Sequence, residues 1–444
     1  MKDIFVAVFF CTHTYSYSLL HTQSMKGHLC KLAVHAVGAR VVELFFSTIP
    51  AKQTHALRQE FYGPHFSLFA DATLIQTKTP TLQSNIDLHP DKKEAACDFV
   101  LNNLVQKGLD KGLYGFAYFQ QLLSEYLAVV GHNKDLIANL VDNSLHLLST
   151  RAGTQIVSYC VAYGTAKDRK RILKALKGYT RSSLLHRDAY LAILQVVLVT
   201  DDTVSVHKSL LAELLTVDPE KPSPDHALLQ IAVHDQASKL LLLLVSGTEE
   251  VRNKFLDPLE LAVLQTNPMI MDGGVEVPTS KKNHDTRRKE LLQYMIRPLE
   301  QLCLQHTNQL TRSLAGSRVV QQVYKTVKSE EMRAQLVQLC VAGVEEGETS
   351  LLEDPVGHYL IKHLVSEDDT FAQALTESLD LSNLTSSRAA FVVTALCKTA
   401  QRGAVTKKVN KSKLQATMKS IKKKDEKATT AGFEALLKAL NEKK

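Results

Sequence analysis

The sequence predicts an all-α solenoid built from about nine or ten short helical repeats. Three observations support this fold class: helix-breaking residues are scarce, one amphipathic segment recurs along the chain, and its copies are regularly spaced. The 444 residues include only 19 glycines and 12 prolines, which favours helices over a turn-rich β architecture. The period of about 39 residues is typical of helical-repeat proteins, in which each repeat buries its apolar face against its neighbours.

The recurring segment, called here the signature segment, has a small residue, two variable positions, an apolar pair and a helical continuation. Its clearest copies are GARVVELFF (38–46), GTQIVSYCV (153–161), GSRVVQQVY (316–324) and GHYLIKHLV (357–365), and weaker copies begin at positions 115, 188, 237 and 389. The residues at the third position of the eight copies are Arg40, Ala117, Gln155, Tyr190, Lys239, Arg318, Tyr359 and Phe391.

Two of the intervals between copies are about twice as long as the others. They are the interval from Arg40 to Ala117 and the interval from Lys239 to Arg318. If both intervals span two units, the stretch from Arg40 to Phe391 holds nine units of about 39 residues each. The unit missing from the first interval is expected at YGPHFSLFA (62–70). The second interval contains the loop-like stretch 267–283 and holds either two units or one unit with an insertion.

Local periodicity also indicates helices. In KDRKRILKALKGYTR (167–181) the residues Ile172, Leu173, Leu176 and Tyr179 fall on one helical face and the basic residues on the other. Gly178 is expected to end this helix. The apolar runs 191–199 and 239–245 are predicted to be helices buried between repeats, because no alternating pattern accompanies them.

The charge is unevenly distributed along the chain. The net charge is +7, but residues 398–444 alone hold 14 basic and 4 acidic residues, which leaves residues 1–397 with a net charge of −3. We predict three parts: an atypical N-terminal segment (1–24), the repeat array (25–397) and a basic C-terminal helix and tail (398–444). The tail is either a solvated extension, a phosphate-binding element or an import signal.

Composition limits the classes of protein and site. With 45% hydrophobic and 22% charged residues, the chain resembles folded soluble proteins. Its seven cysteines are dispersed and form no CxxC pair, which argues against a disulfide framework or a zinc site and favours a reducing compartment. No apolar run reaches the roughly 18 residues of a transmembrane helix. The first 23 residues resemble a signal peptide only faintly, and we expect a divergent start that cuts into a longer array.

Several segments together carry a family resemblance: SMKGHLCKLAVHAVGARVVELFF, LRQEFYGPHFSLF, GTQIVSYCVAYGTAKDRKRILKALKGY, HDTRRKELLQYMIRPL and DPVGHYLIKHLV. From about Met25 to Lys444 the chain resembles the Pumilio-related nucleolar family Puf-A, whose C-terminal region is known as a CPL domain. YGTAKDRK (163–170) is the most specific piece. The resemblance implies a curved or L-shaped, armadillo-like stack of about eleven repeats, of which this chain lacks the amino-terminal ones.

The resemblance also implies which residues would read bases. In base-reading Pumilio repeats, two side chains bond the Watson–Crick edge and a third stacks between bases, and these correspond to the second, sixth and third positions of the signature segment. Ser317, Arg318 and Gln321 form a set of the type that reads adenine. The sets Ala39–Arg40–Glu43 and His358–Tyr359–Lys362 are incomplete or unusual, and the remaining copies lack a stacking residue or an edge contact.

One usable set cannot encode a sequence, since each lost bidentate pair removes roughly 1–3 kcal/mol of discrimination. Affinity is then expected from phosphate contacts, which weaken steeply with salt. Two basic clusters are candidates for these phosphate contacts. The alternative interpretation of each cluster is a solvated helix face. The tail segment 407–424 is a third candidate, and nuclear localisation is its alternative role. The clusters are Lys167, Arg169, Lys170, Arg171, Lys174, Lys177 and Arg181, and Lys281, Lys282, Arg287, Arg288 and Lys289.

Signals for catalysis are weak. The sequence has no GxxxxGK[ST], GxGxxG, HExxH or GxSxG motif. Its 17 histidines are scattered, and His358 and His363 are five residues apart, which places them on different helical faces. We therefore predict no enzyme, no cofactor and no metal.

Two functional hypotheses remain. The first is a monomeric protein that binds RNA, or DNA, through phosphates, and the resemblance implies a nucleolar or nuclear location and a role in ribosomal RNA processing and large-subunit assembly. The second is a scaffold whose surface binds pre-ribosomal assembly factors with little direct RNA binding. The near-neutral repeat array favours the second hypothesis, and the clustered basic residues favour the first.

Overall fold

A computed structural model describes residues 25–68, 78–215, 227–341, 349–382, 384, 386–424 and 429–442. Within these ranges one β-hairpin accompanies the helices, and the predicted all-α repeat class is confirmed. The predicted atypical segment 1–24 lies outside the described residues. The chain divides into two compact units. The first unit comprises the described residues up to Leu210 together with Pro258–Arg287, and the second comprises Leu211–Asp257 and the residues from Arg288 onward.

The part of the first unit that precedes Leu210 consists of short helices joined by tight turns. The α-helices are α1 (Leu29–Ala33), α2 (Gly38–Thr48), α3 (Ala51–Arg58), α4 (Pro64–Leu68), α5 (Leu82–Leu88), α6 (Lys93–Val100), α7 (Gln106–Asp110), α8 (Ala117–Val130), α9 (Lys134–Leu140), α10 (Ser144–Leu147), α11 (Arg151–Tyr163), α12 (Ala166–Leu176), α13 (Thr180–Leu185), α14 (Tyr190–Val199) and α15 (Thr203–Val206). A π-helical turn at Leu101–Val105 joins α6 to α7.

The rest of the chain alternates between the two units. Leu211–Asp257 holds α16 (Ala212–Leu215), α17 (Ala227–Val233), α18 (Ser238–Ser246) and α19 (Thr248–Lys254); the returning segment then holds α20 (Pro258–Val263), β1 (Met269–Asp272) and β2 (Val275–Pro278). The remaining helices are α21 (His284–Gln305), α22 (Thr307–Arg312), α23 (Leu314–Val327), α24 (Glu330–Val341), α25 (Gly357–Glu367), α26 (Asp369–Ser378), α27 (Ser387–Leu396), α28 (Arg402–Lys408), α29 (Lys411–Lys424) and α30 (Ala431–Asn441).

Each copy of the signature segment lies in a helix, and we call these the signature helices: α2, α8, α11 and α14 in the first unit, and α18, α23, α25 and α27 in the second. Within each unit, consecutive signature helices pack side by side. Helix α18 packs directly on α23. The long interval between their segments is therefore one unit with an insertion, and the insertion is the returning segment that contains the β-hairpin. Helix α2 likewise packs directly on α8. The stretch 62–70, where a further unit was expected between them, contains the five residues of α4, and residues 69–70 lie outside the described part of the chain.

Glycine at the first position of the signature segment allows a close helix approach. A Cβ atom on four of these glycines would lie within 3 Å of the carbonyl oxygen of the leucine six residues earlier. That distance is shorter than any normal carbon–oxygen contact, so a side chain would push the helix away from the preceding turn. The glycine–leucine pairs and distances are Gly38–Leu32 at 2.8 Å, Gly153–Leu147 at 1.8 Å, Gly316–Leu310 at 2.6 Å and Gly357–Leu351 at 2.9 Å.

The apolar runs predicted as buried helices are confirmed. Every residue of α14 is buried, and six consecutive residues of α18, Leu240–Val245, are buried as well. Helix α12 also forms as predicted and buries Ile172, Leu173 and Leu176, but Tyr179 lies beyond its C-terminus and is 49% exposed. Gly178 follows the helix end with a φ of +85°, which glycine adopts without strain.

Part of the basic tail is a further helix of the repeat array. Helix α30 packs on α27, and Phe433, Leu436 and Leu440 are buried. A Cβ atom on Gly432 would lie 1.9 Å from the carbonyl oxygen of Ser387. The interpretation of 398–444 as a solvated extension is therefore wrong for residues 431–441, because a basic composition concealed an apolar face with helical spacing.

None of the described helices is by itself both long and apolar enough to cross a bilayer. The helices Ala227–Val233 and Ser238–Ser246 reach that length and composition only as a pair, and an 85° bend separates them.

We expect Gly153→Ala to lower the free energy of unfolding by about 1–3 kcal/mol, because the new methyl group must displace the Leu147 carbonyl. Gly403 in α28 is the matched control, since no atom lies within 4 Å of a Cβ atom placed there. Gly403→Ala should leave the protein as stable or more stable by up to about 1 kcal/mol. Urea denaturation followed by circular dichroism measures both, and equal stability of the two variants would contradict this packing argument.

Candidate nucleic-acid interface

The basic side chains predicted to bind phosphates fall into two groups. One group is buried and caps the C-terminal ends of helices, and the other reaches solvent. The last four carbonyl groups of an α-helix have no partner within the helix, and a cation placed near them is stabilised by the helix dipole. The division therefore follows from helix geometry and not from the density of charge along the sequence.

Arg169 belongs to the buried group and is only 3% exposed. Its Nε donates to the carbonyl oxygen of Val161 at 2.8 Å and its Nη2 to that of Ala162 at 3.0 Å, which satisfies two of the last carbonyls of α11. Its Nη1 and Nη2 also donate to the carbonyl and hydroxyl oxygens of Thr279, at 2.9 and 2.8 Å. Burial lowers the pKa of Arg169 to about 10. The prediction that Arg169 contacts phosphate is wrong, because all its nitrogen atoms are engaged inside the protein.

Arg287 has the same role at the next signature helix, α14. Its side chain is fully buried, its Nε donates to the carbonyl oxygen of Leu198 at 2.9 Å, and its Nη1 lies 3.0 Å from Oδ1 of Asp201. In the second unit, Nη1 of Arg288 donates to the carbonyl oxygen of Leu244, near the end of α18, at 3.0 Å. The predicted phosphate contact is therefore wrong for Arg287, and Arg288 is half-buried and already bound to a helix end.

These contacts fasten the base of the β-hairpin to the first unit. The hydroxyl of Thr279 donates to the carbonyl oxygen of Ala162 at 2.7 Å, and that of Ser280 donates to Val199 at 2.6 Å. The backbone amides of Lys281 and Lys282 donate to the carboxylate of Asp201 at 2.7 and 3.1 Å. The segment 279–282 thus lies across the C-terminal ends of α11 and α14, and every side chain that holds it is polar.

The segment YGTAKDRK (163–170) spans the turn between α11 and α12, and the structure gives a role to several of its residues. A Cβ atom on Gly164 would lie 2.4 Å from the carbonyl oxygen of Cys160, so only glycine fits there. Thr165 and Asp168 form a reciprocal capping box at the start of α12, and Arg169 caps α11. Gly164, Thr165, Asp168 and Arg169, within the most specific piece of the family resemblance, therefore form a turn that joins two helices.

The second group of basic residues remains on the surface. Lys167, Lys170 and Lys174 are exposed along one face of α12, opposite the buried apolar face, and Lys177 follows the helix end. Among the described residues, none of their ammonium groups lies within 4 Å of a carboxylate. Arg171, between them, is one-third exposed and donates from Nε to Oδ1 of Asp142 at 2.8 Å. These residues stay candidates for phosphate contact, although Arg171 must exchange its carboxylate partner to make one.

The second positions of the signature segments, which would read base edges, are buried. Seven of the eight residues are at most 7% exposed, so their side chains cannot reach a ligand on the helix surface. These residues are Ala39, Thr154, Ala189, Ser238, Ser317, His358 and Ala390.

The corrections matter most for Ser317 and His358, which were predicted to read bases. The hydroxyl of Ser317 donates to the carbonyl oxygen of Leu314 at 3.0 Å. Nδ1 of His358 lies 2.7 Å from the carbonyl oxygen of Asp354, and burial lowers the pKa of the imidazole. Both side chains are hydrogen-bonded to backbone carbonyl groups at the start of their own helices, so neither contributes to a base-reading set.

Two sixth-position side chains connect adjacent repeats. The carboxylate of Glu43 accepts from the backbone amides of Ala117 and Tyr118, at 3.1 and 3.2 Å, and so caps the start of α8. Gln120 is fully buried, and its Nε2 donates to the carbonyl oxygen of His146 in α10 at 3.2 Å and to the hydroxyl of Ser149, in the turn before α11, at 3.0 Å. Sequence reasoning did not predict these contacts, because Glu and Gln are also the residues that would bond a base edge.

The third positions are the part of the predicted set that does reach solvent. Arg40 is exposed, Arg318 is exposed with its guanidinium 5.7 Å from the ring of Phe255, and Tyr359 is 57% exposed. Gln321 and Lys362, in the same helices as Arg318 and Tyr359, are half-buried. Arginine and aromatic side chains in these positions can stack on bases of any identity.

Basic residues of the C-terminal region repeat the capping role. Nη2 of Arg402 donates to the carbonyl oxygen of Ala439 at 3.0 Å, near the end of α30. Nζ of Lys408 donates to the carbonyl oxygen of Thr376 at 2.7 Å, near the end of α26. The local sequence around these residues gave no signal of this role, because their partners lie far away along the chain, at separations of 37 and 32 positions.

Within the described residues, no group of three or more His, Cys, Asp or Glu side chains could hold a metal ion. Burial raises the pKa of the Cys30 and Cys303 thiols to about 12, which makes both poor nucleophiles at neutral pH.

Arg169→Met should lower the free energy of unfolding by about 3 kcal/mol or more, because it leaves several buried carbonyl and hydroxyl oxygens without donors. Lys170→Met, which removes the same charge from the adjacent exposed position, should change it by less than about 0.5 kcal/mol. Urea denaturation of both variants measures the difference. If Arg169→Met unfolds at the wild-type midpoint, Arg169 does not support the helix end.

Asp201 provides a pH test of the hairpin base. Partial burial opposes its ionisation, but the amides of Lys281 and Lys282 and the guanidinium of Arg287 outweigh it, and the pKa of Asp201 is lowered. A lowered folded-state pKa adds stability above the unfolded value of about 4, and this contribution is lost as the pH falls through the folded-state value. The stability difference between wild type and Asp201→Asn should therefore be larger at pH 6 than at pH 3. A difference independent of pH would contradict the assignment.

The sequence is similar to those of Pumilio-related proteins from several organisms. The chain is 24% identical to human Pumilio homolog 3 over 442 residues, which is 94% of this chain and 64% of the human protein. It is 28% identical over 267 residues to Pumilio homology domain family member 6 of Schizosaccharomyces pombe, covering 59% of this chain and 38% of that protein. The chain thus spans less than two thirds of the length of these relatives.

Solved structures show the same fold. The crystal structure of human Puf-A superposes with a TM-score of 0.73 at 22% identity, covering 96% of this chain and 81% of that one, and the structure of human Puf-A in complex with DNA gives the same TM-score. The pattern of the CPL (NUC119) domain matches residues 233–377. The predicted resemblance to the Pumilio-related Puf-A family is therefore confirmed over 94% of the chain, with a CPL domain in its C-terminal region.

Proposed function

We propose that this protein binds nucleic acid, RNA or DNA, through its phosphates and with little sequence preference. The observation that carries the proposal is the contrast on the signature helices. Seven of the eight second positions, which would read base edges, are buried, whereas stacking residues such as Arg40, Arg318 and Tyr359 are exposed. A surface that can stack on bases but not read their edges accepts any sequence.

The first unit adds a row of positive charge to the stacking position Arg40. Lys167, Lys170 and Lys174 are spaced three and four residues apart, so they form one row along α12. Each phosphate that such a row neutralises releases counterions, which makes binding strongly dependent on salt concentration. The buried arginines Arg169 and Arg287 contribute nothing to this surface.

The second unit contributes stacking positions on adjacent helices. Arg318 on α23 and Tyr359 on α25 are both exposed, and these two helices pack side by side. Stacking of bases on arginine and aromatic side chains adds roughly 1–3 kcal/mol per base without discriminating between bases. Human Puf-A, whose fold this chain shares, has been solved with DNA, which supports a nucleic-acid ligand here.

The cellular role is part of the same proposal. The Puf-A resemblance supports action in ribosomal RNA processing and large-subunit assembly, in the nucleolus or nucleus, as a monomer and without catalysis. Pre-ribosomal assembly factors are expected as neighbours in that setting.

A salt titration tests the proposal. Changing Lys167, Lys170 and Lys174 together to alanine should reduce the slope of log K against log salt concentration by about 2 for a single-stranded RNA, since each lost phosphate contact removes about 0.7. Fluorescence anisotropy with one RNA of about 20 nucleotides and its scrambled sequence measures affinity, and the two RNAs should differ less than about threefold. The matched control changes the exposed Lys31, Lys52 and Lys93, which lie on different helices, to alanine.

Three results would oppose the proposal. Equal slopes for the α12 variant and the wild type would remove the lysine row from the interface. A preference of a hundredfold or more for one sequence would show that base reading survives. Absence of binding at low salt would favour the scaffold hypothesis instead.

A further inference from the structure

The β-hairpin formed by β1 and β2 exposes apolar side chains that the described residues of the first unit leave uncovered. Met271 and Val275 are 64% and 63% exposed and Met269 is 38% exposed, whereas Ile270 and Val277 are half-buried. Cross-strand partners share a face, and the register pairs Met269 with Pro278 and Met271 with Glu276. Ile270 and Val277 therefore face the protein, and both methionines face solvent.

The backbone of β1 also has an open edge. The amide of Thr279 donates to the carbonyl oxygen of Pro268 at 3.0 Å, so this pair is hydrogen-bonded, and pairs alternate along an antiparallel ladder. Met269 and Met271 then belong to the pairs that are not hydrogen-bonded, and their N–H and C=O groups point away from β2. Among the described residues, neither methionine has a backbone hydrogen bond on that side.

The two edges of the hairpin are not equivalent. Pro278 has no N–H group, which weakens the outer edge of β2 as a template for another strand. The outer edge of β1 presents complete donor and acceptor pairs at Met269 and Met271. A strand that pairs with β1 would place its side chains beside two methionines, which adapt to varied apolar partners.

Hydrogen bonds at its base fix the hairpin in a position where another strand can pair with β1. Thr279 and Ser280 bond the ends of α11 and α14. Arg169 donates to Thr279, and Arg287 donates to Leu198 at the end of α14. Gly273 and Gly274 both have positive φ, 58° and 83°, which gives the tight turn that a two-residue hairpin requires.

The charge of the hairpin identifies the chemistry of its partner. The ionisable residues between Met269 and Pro278 are Asp272 and Glu276, and both are exposed. Lys134 is the neighbouring cation, with its Nζ 3.9 Å from Asp272 and its own side chain 63% exposed. Lys281 and Lys282 are also exposed, but they follow the base of the hairpin, beyond Pro278. The two acids within the hairpin itself disfavour nucleic acid at β1 and favour a basic polypeptide.

From this geometry we infer that the outer edge of β1 binds an extended, basic segment of a partner protein by β-strand addition. The main chain of Met269 and Met271 supplies the hydrogen bonds, the two methionine side chains contact apolar residues of the segment, and Asp272 and Glu276 pair with its lysines or arginines. The site uses none of the residues of the α12 lysine row, so the inference does not depend on the proposed nucleic-acid binding.

A phage library of random twelve-residue peptides tests the inference, with the full chain as bait and Met271→Pro as counter-selection. Proline at position 271 removes an outward N–H group but no hydrogen bond of the hairpin, and Met271→Thr is the matched control that keeps the N–H group. Enriched peptides should carry net positive charge and alternating apolar residues. A synthetic copy of one should bind Met271→Pro at least about tenfold more weakly than wild type or Met271→Thr.

Hydrogen exchange of the wild-type chain provides the second readout. The amides of Met269 and Met271 should exchange rapidly in the free protein and slowly with the selected peptide. The variant Met269→Lys/Met271→Lys, which keeps the backbone but adds positive charge, should also lose binding and covers the case in which proline disturbs the hairpin.

The inference is overturned if no peptide is enriched, if enriched peptides are acidic, or if both variants bind them like the wild type. Self-association that Met271→Pro abolishes would also overturn it, because a second copy of the chain would then occupy the edge.

Discussion

The structure depends on the way its helix ends are capped. Short helices stacked in a repeat array bring many C-terminal carbonyl groups into the interior, where water cannot satisfy them and each orphan costs roughly 1–3 kcal/mol. Arginine and lysine side chains from other elements supply the missing donors: Arg169 for α11, Arg287 for α14 and Arg402 for α30. Because these donors are charged, they also interact favourably with the helix dipole. Several of the basic residues are therefore structural.

This use of charge explains where sequence reasoning succeeded and where it did not. Apolar periodicity reports which face of a helix is buried, so α12, α14 and α18 could be predicted from their own residues. The burial of Arg169 could not, because its partner Thr279 lies 110 residues away. In the sequence Arg169 and Lys170 are adjacent bases of equal appearance. Only the three-dimensional position of the returning segment distinguishes the buried one from the exposed one.

For the candidate interface, too, sequence reasoning predicted some features and missed others. The prediction that the chain has no base-reading code followed from the missing polar residues in most signature segments. The burial of Ser317 did not follow, because serine at that position has the chemistry of a reader and gives no sign that its hydroxyl bonds Leu314. Glu43 and Gln120 show that polar residues kept at reading positions can serve the contact between successive repeats instead. Polar identity alone therefore does not separate recognition from repeat packing.

The return of Pro258–Arg287 to the first unit has a consequence for folding during synthesis. Repeat proteins ordinarily fold progressively, because each repeat contacts only its neighbours. Here the end of α14 is capped by Ser280 and Arg287, and Thr279 completes the capping of α11 by Arg169. These residues are made much later than the helices, with 110 residues between Arg169 and Thr279. At about 5–20 residues per second, the ribosome needs roughly 5–20 s to produce that stretch. During this interval the nascent first unit has an uncapped α14 end and an α11 end that lacks the Thr279 contact, which makes it a candidate for chaperone binding before translation is complete.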